Sequence, residues 1–170
     1  MIKIDSVTKN FDTVRSLDNV SLNIGNGSIF GLIGSNGSGK STLLRILCGV
    51  YRQDSGDVLY DGVPVYEHTD VKRSIVYLSD DQYFLPNSTT ADMRRLYRSI
   101  YPTFSDEKYK HYLDLFGLDE RRKINTFSKG MQKQVSIILG IAAQTDYLLC
   151  DETLDGLDPV MRQTVRRIIA

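Results

Sequence analysis

The chain has 170 residues, and its 21 Lys and Arg balance 21 Asp and Glu, so the formal net charge is zero. The length allows one domain with one sizeable core, and the neutral balance gives no sign of a surface for nucleic acid or anionic lipid. Without a long apolar run or a signal-peptide region, the sequence predicts a cytoplasmic protein with no nucleic-acid partner and no direct membrane insertion.

The first part of the chain alternates apolar and polar residues, which predicts antiparallel strands. The stretches 2–4 and 20–24 both show this alternation. Residues 25–27 then predict a turn, and the apolar stretch 28–33 predicts a buried strand. The apolar stretch 43–48 is typical of a largely buried helix.

The stretch from Gly34 to Thr42, between this strand and this helix, fits the phosphate-binding pattern G-x-x-x-x-G-K-[ST]. Its glycines allow tight turns, so that backbone N–H groups converge on an anion. Lys40 supplies a charge to the β- and γ-phosphates, and the Ser41 hydroxyl is placed to bind Mg²⁺. We predict a nucleotide site, with Lys40 also a catalytic residue. The predicted nucleotide contacts here are Ser35, Asn36, Gly37, Ser38, Gly39, Lys40, Ser41 and Thr42.

Two β segments follow the first helix. Residues 57–60 and 63–65 predict a hairpin with its turn at 61–62. The β-branched run 74–78 predicts another strand in the central sheet.

From Ser79 onward the pattern becomes helical. Thr89 with Asp92 resembles a capping box, and that helix must end before Pro102. Ser105 predicts the N-cap of a second helix. The aromatic residues of this second helix recur at helical spacing, which favours a core over a stacking platform for bases. The predicted apolar faces are Tyr109, Tyr112, Leu113 and Phe116 in the second helix, and Met131, Val135, Ile138, Leu139 and Ala142 in the third.

The stretch 146–151 returns to a strand pattern and ends in the adjacent acids Asp151 and Glu152. Carboxylates at the C-terminal end of a buried parallel strand emerge where α/β sheets bind ligands. Asp151 is placed to bind Mg²⁺ through water, and Glu152 to polarise the water that attacks the γ-phosphate. Such a strand end is often only a strand meeting solvent, but together with a phosphate loop it predicts hydrolysis.

The last pattern is an amphipathic helix that carries Met161 and Val165 and runs to Ala170. The order along the chain is therefore a β-rich start, a phosphate loop with its helix, a helical insertion, and then a second core strand and helix.

Two segments resemble motifs of the nucleotide-binding subunits of ABC transporters. Residues 151–159, DETLDGLDP, are similar to the second nucleotide motif and D-loop, and residues 127–132, FSKGMQ, lie where the family usually has LSGGQ. The resemblance covers nearly the whole chain in the expected order. It implies ATP as the nucleotide, Mg²⁺ as its metal and an integral membrane transporter subunit as a partner. It also places Phe11 where the family stacks an aromatic ring on adenine.

In that family two subunits pack head to tail and bury two ATP molecules between them. The resemblance therefore implies a second ATP-binding subunit as a partner, whose ATP is contacted by Ser128 and Gly130 of this chain. From the residues alone, an ordinary helix N-cap at Ser128 is the simpler interpretation.

Several positions differ from the usual pattern of the family. Lys129 and Met131 alter the signature, and Thr153 replaces a usual proline, which restores a backbone N–H. Asp80 stands where the family's Q-loop glutamine touches Mg²⁺, and Gln82 lies two positions later. Because a carboxylate can bind a metal, we include Asp80 among the metal ligands with Ser41 and Asp151.

The family also carries a switch histidine some tens of residues after the catalytic glutamate. His68 and His111 lie elsewhere, and we interpret both as surface residues. The resemblance implies a chain truncated before the switch histidine, one that binds MgATP but hydrolyses it poorly.

Together these features predict an α/β P-loop NTPase with a RecA-like core sheet, an N-terminal antiparallel β portion and a helical insertion subdomain. We assign residues 1–78 and 146–170 to the core of a single ABC-type domain, and residues 79–145 to the helical subdomain. The predicted function is ATP hydrolysis that powers a transporter, and the signature is similar to that of small bacterial exporters. A soluble non-transport ABC-type ATPase and a regulatory ATP-binding module remain alternatives. A GTPase is disfavoured because no Asn-Lys-x-Asp segment occurs.

Overall fold

The structure is a computed structural model, and it describes residues 1–169. The chain divides into two compact units, of which the first is Met1–Lys72 and the second begins at Arg73. The predicted division into core 1–78 and 146–170 and helical subdomain 79–145 stays a prediction.

The first unit is built on an antiparallel sheet, as the alternating residues predict. Its strands are β1 (Ile2–Phe11), β2 (Val14–Ile24), β3 (Ser55–Tyr60) and β4 (Val63–Pro64), in the order β2-β1-β3-β4. Ile4 pairs with Leu22 of β2 on one side and with Val58 of β3 on the other, so β1 lies between β2 and β3. The predicted hairpin is confirmed, and both residues of its turn, Asp61 and Gly62, have positive φ.

The predicted buried strand at 28–33 is wrong. The segment forms no strand in the described chain, and Ile29 and Ile33 are 77% and 97% exposed. An apolar run becomes a strand only where a neighbouring strand completes its hydrogen bonds, and no described strand pairs with this one. The helix after the loop is present as α1 (Lys40–Leu47), with Leu43, Ile46 and Leu47 buried. A short helix, α2 (Thr69–Arg73), follows later.

The second unit combines a parallel strand pair with helices. β5 (Ile75–Leu78) and β6 (Tyr147–Cys150) pair in parallel, with Leu78 opposite Cys150. Both strands therefore end at the same edge of the sheet. The helices are α3 (Thr90–Ile100), α4 (Asp106–Leu115), α5 (Lys129–Ala142) and α6 (Pro159–Ile169), with a 3₁₀ turn at Ile124–Thr126. Ala170, which we predicted to continue α6, lies outside the described residues.

The predicted helix starts are confirmed by their caps. Thr89 and Asp92 form a reciprocal capping box on α3, and the Thr89 N–H and hydroxyl hold the pKa of the Asp92 carboxyl below its usual value. The side chains of Ser105 and Ser128 cap α4 and α5. Each cap supplies an acceptor to an otherwise unpaired helix N–H, which stabilises a helix by about 1 kcal/mol.

Helix α5 is the packing centre of the second unit. Val135, Ile138, Leu139 and Ala142 are fully buried against residues of α3 and α4. Gly140 faces β5 so closely that an added Cβ would lie 2.6 Å from Leu78 Cδ2. The glycine therefore sets how near α5 lies to the strand pair. No helix of the described residues 1–169 has the length and apolar character needed to cross a membrane.

Candidate nucleotide site

The loop at Gly34–Thr42 is closed on itself by its lysine. Lys40 Nζ donates to the carbonyl oxygens of Gly34 and Ser35, both at 2.9 Å, and the Ser38 N–H donates to the Ser35 carbonyl at 3.2 Å. These bonds curl the loop over the start of α1. The lysine side chain thus reaches from the start of α1 back to the first two residues of the loop.

Several amides at this helix start are left for a ligand. The N–H groups of Gly37, Gly39, Lys40 and Ser41 donate to no acceptor among residues 1–169. The N-cap, Gly39, has φ 88°, and α1 has no side-chain cap. Unpaired N–H groups with the positive end of the helix dipole favour an anion such as phosphate.

Replacing Gly39 by Ala is expected to destabilise the first unit. A Cβ there would lie 2.4 Å from the Ser16 carbonyl oxygen and 2.9 Å from Leu17 Cδ2, in addition to the unfavourable φ. The matched control is Gly27→Ala, because Gly27 also has positive φ (66°) but open space around it. By urea unfolding we expect Gly39→Ala to cost about 1–3 kcal/mol more than Gly27→Ala. Equal losses of unfolding free energy in the two variants would show that the backbone at Ser16 shifts to accommodate the added Cβ at little cost.

The end of the loop is tied to the sheet. Ser16 Oγ donates to Thr42 Oγ1 at 2.9 Å, and Ser16 belongs to β2. This bond fixes the first turn of α1, which carries Ser41, against the antiparallel sheet. Ser41 itself is half-buried in that turn.

Phe11 lies at the end of β1 and keeps a partly exposed ring, 39% accessible. Its ring packs edge-on against Tyr51 at 5.5 Å between centroids, and Lys9 Nζ lies 5.4 Å from its centroid. The Tyr51 hydroxyl accepts from Arg45 of α1 at 3.3 Å. Through Tyr51 the exposed aromatic face is therefore connected to the helix that begins at the loop.

In the second unit, the predicted acids lie at the edge where β5 and β6 end. Asp151 is buried, and its Oδ2 accepts from the Tyr77 hydroxyl at 3.0 Å. Its backbone N–H donates to the Leu78 carbonyl at 2.9 Å, which extends the strand pairing by one residue. The side chain of Glu152 is exposed, and its backbone has a φ of 48°. One acid is thus fixed by a hydroxyl, and the next points into solvent.

Asp80, at the same edge, is paired with a lysine. Lys133 Nζ lies 3.1 Å from Asp80 Oδ1 and also donates to the carbonyls of Glu152 and Asp155, both at 2.8 Å. Thr153 is buried, and its hydroxyl lies 3.5 Å from the Leu78 carbonyl oxygen. The threonine that replaces a usual proline therefore adds a weak polar contact to the strand end.

The signature residues occupy the start of α5. The exposed Ser128 accepts from the Met131 N–H at 3.2 Å, as the N-cap interpretation predicts. At Gly130 an added Cβ would lie 3.7 Å from the Gly156 carbonyl, which is ordinary contact. The start of α5 thus lies beside the turn that follows Glu152. His68 and His111 are both exposed, as predicted.

The structure brings the predicted residues together in two groups. The loop residues lie with α1 in the first unit, whereas Asp80, Asp151, Glu152, Ser128 and Gly130 lie around one edge of the second. Sequence reasoning missed Ser16, Tyr77 and Lys133. For Lys133 a signal existed: it precedes the buried Ile137 by four positions and Gly140 by seven, so it falls on an inward stripe of α5.

Comparison with solved structures defines the class of the fold. The backbone is similar to an ATP-binding subunit of an ABC transporter, with a TM-score of 0.89 at 22% identity over 99% of this chain and 72% of that one. It is also similar to a dimeric bacterial ABC transporter cassette, with a TM-score of 0.88 at 25% identity over 99% of this chain and 81% of that one. The fold is therefore the α/β P-loop fold of these domains.

The sequence comparisons define the family. The family model described as "ABC transporter" matches residues 17–155. The chain is 36% identical to the ABC transporter ATP-binding protein YtrB of Bacillus subtilis, over 99% of this chain and 58% of that protein. It is 34% identical to the methionine import ATP-binding protein MetN of Haemophilus influenzae, over 99% of this chain and 53% of that protein. The chain belongs to the ABC transporter family and spans a little over half the length of these relatives.

Proposed function

We propose that the protein binds ATP with Mg²⁺ and hydrolyses it to power a transporter through a separate membrane subunit. The observation that carries this proposal is the loop at Gly34–Thr42, with its unpaired amides at the start of α1 and the Lys40 ammonium bonded to its first two residues. Such a loop suits the phosphates of a nucleotide. The names of the relatives as ATP-binding proteins support ATP as that nucleotide.

Each predicted residue takes a chemical role in this proposal. Lys40 neutralises charge on the β- and γ-phosphates, and Phe11 offers its exposed ring to adenine. Mg²⁺, when bound, would neutralise phosphate charge and hold the phosphates in place. Its ligands would be the Ser41 hydroxyl and, through water, Asp151, whose orientation the Tyr77 hydroxyl fixes. Glu152, exposed at the strand end, is the base that orients the attacking water.

Asp80 is retained as a candidate third metal ligand. Its side chain is 55% exposed, and its Oδ1 is engaged by Lys133. The neighbouring ammonium lowers the affinity of this carboxylate for a cation, so Asp80 would hold Mg²⁺ less tightly than an unpaired carboxylate would.

We further propose a head-to-tail dimer in which Ser128 and Gly130 complete the partner's site. Ser128 is exposed at a helix start, where an anion is favoured, although its hydroxyl already caps α5. The similar solved cassette that is described as dimeric supports this arrangement. The protein would work in the cytoplasm, at the inner face of the cell membrane, held there by the membrane subunit.

The test combines binding, turnover and transport. A fluorescent ATP analogue and phosphate release, measured with and without Mg²⁺, should show Mg²⁺-dependent binding and hydrolysis by the purified full-length protein. Absence of ATP binding at millimolar concentration would overturn the proposal. Inverted vesicles containing a multi-span membrane protein encoded beside this gene should then show ATP-driven transport. Uptake into such vesicles would support the predicted export, whereas the methionine relatives are named for import.

A further inference from the structure

Lys133 is a buried lysine whose position needs an explanation. It lies on α5 and is 7% exposed, although a lysine is rarely buried unless its charge is compensated. Lys133 lies outside the motifs that resemble those of the family, and none of the roles proposed above uses it. Its surroundings therefore show what it does.

The ammonium group of Lys133 has three acceptors for its three N–H bonds. These are the Glu152 and Asp155 carbonyl oxygens at 2.8 Å and Asp80 Oδ1 at 3.1 Å. Two of them belong to the turn after β6, and the third belongs to Asp80, two positions after the end of β5. One side chain of α5 thus joins both strand ends.

Glu152, which Lys133 contacts, has a strained backbone conformation. Glu152 has φ 48°, a left-handed conformation that a residue with a side chain adopts at a cost of about 1–3 kcal/mol. This left-handed conformation changes the direction of the backbone at the end of β6. Lys133 Nζ donates to the carbonyl oxygen of the same residue, Glu152. The turn closes with the Asp155 N–H donating to the same carbonyl at 3.0 Å. The carbonyl therefore has two donors that favour this conformation.

Of the three contacts, those to the carbonyls dominate. Asp80 is 55% exposed, and an ion pair with so exposed a partner contributes little. The two carbonyls accept short hydrogen bonds from a charged donor, which are stronger than neutral ones. The main effect of Lys133 is thus on the backbone of the turn.

We propose that Lys133 is a positioning residue that holds Glu152 in its left-handed conformation and ties it to the helix that begins with the signature. The proposal rests on the proposed role of Glu152 as the base for hydrolysis. In this role Lys133 acts through the backbone from which the Glu152 side chain extends. A small displacement of a catalytic group lowers the rate more than it lowers binding.

The test uses the full-length protein and four variants. Lys133→Met removes the charge and keeps the length of the side chain, and Lys133→Arg keeps a charged donor. Asp80→Asn removes the exposed ion pair and is used for hydrogen exchange alone, because Asp80 is also a candidate metal ligand. Lys110→Met is the matched control, since Lys110 is an exposed lysine on α4. Amide hydrogen exchange of the peptide 152–158 is measured on every variant, and kcat and KM for ATP are measured on the two Lys133 variants and on Lys110→Met.

For Lys133→Met we expect roughly tenfold faster exchange at the Asp155 and Leu157 amides, whose bonds close the turn. We expect kcat to fall roughly 10- to 100-fold, with KM within about twofold of wild type. Lys133→Arg should reverse most of both changes. Lys110→Met should change either value by less than about threefold, and Asp80→Asn should change the exchange rate by less than about threefold.

The outcomes separate the two proposals. If wild-type protein hydrolyses no ATP, the proposed function fails, and hydrogen exchange still tests the hold of Lys133 on the turn. Unchanged exchange in Lys133→Met would overturn the inference. Faster exchange over the whole second unit together with the turn would also overturn the inference, because such a result is expected of a residue that is needed only for stability.

Discussion

The variant Glu152→Gln is expected to bind ATP with nearly unchanged affinity and to hydrolyse it roughly 10²–10⁴ times more slowly than wild type. The glutamine side chain is the same size and cannot accept a proton from water. Glu152 is exposed, and its contact with Lys133 uses the backbone carbonyl, so the substitution leaves the turn intact. Loss of stability is therefore not expected to explain the loss of rate.

The same variant tests the proposed dimer. With hydrolysis blocked, ATP should persist between two subunits, and gel filtration with ATP should show a dimer that disappears with ADP. Glu107→Gln is the matched control, because Glu107 is an exposed glutamate on α4, and it should behave as wild type. A Glu152→Gln protein that stays monomeric with saturating ATP would contradict the head-to-tail arrangement. Unchanged hydrolysis would remove Glu152 from its role as the base.

The features that the sequence predicted correctly are those set by neighbouring residues. The capping box of Thr89 and Asp92 spans three positions, so its geometry follows directly from the helix. The periodic apolar face of α5 likewise predicts its burial, because helical spacing alone determines which residues share a face. The hairpin at Asp61 and Gly62 is a third local case.

The features that it missed depend on residues far apart in the chain. Tyr77 contacts Asp151 across 74 positions, and Lys133 contacts Asp80 across 53, so no local pattern announces either bond. The predicted strand at 28–33 was wrong for a related reason. Its apolar composition suits a buried strand, but strand formation depends on a partner, which composition does not specify. In the candidate site, the residue types were therefore predictable, whereas the groups that orient them were not.

Replacing Lys40 by Met is expected to weaken ATP binding roughly 10- to 100-fold, because hydrogen bonds from a charged donor contribute about 1.5–3 kcal/mol. In the structure the ammonium group donates to the Gly34 and Ser35 carbonyl oxygens, which joins the start of α1 to the start of the loop. The variant therefore loses both a phosphate contact and the bonds that curl the loop.

Isothermal titration with ATP and with AMP separates these two losses. If Lys40 contacts the β- and γ-phosphates, its removal should weaken ATP binding and leave the weaker AMP binding within about threefold. Lys3→Met is the matched control, since Lys3 is an exposed lysine of β1 in the same unit. Equal loss for both nucleotides would indicate that Lys40 acts by shaping the loop. Unchanged ATP affinity would contradict the phosphate site itself, because the loop would then bind ATP without the one charge that the motif supplies.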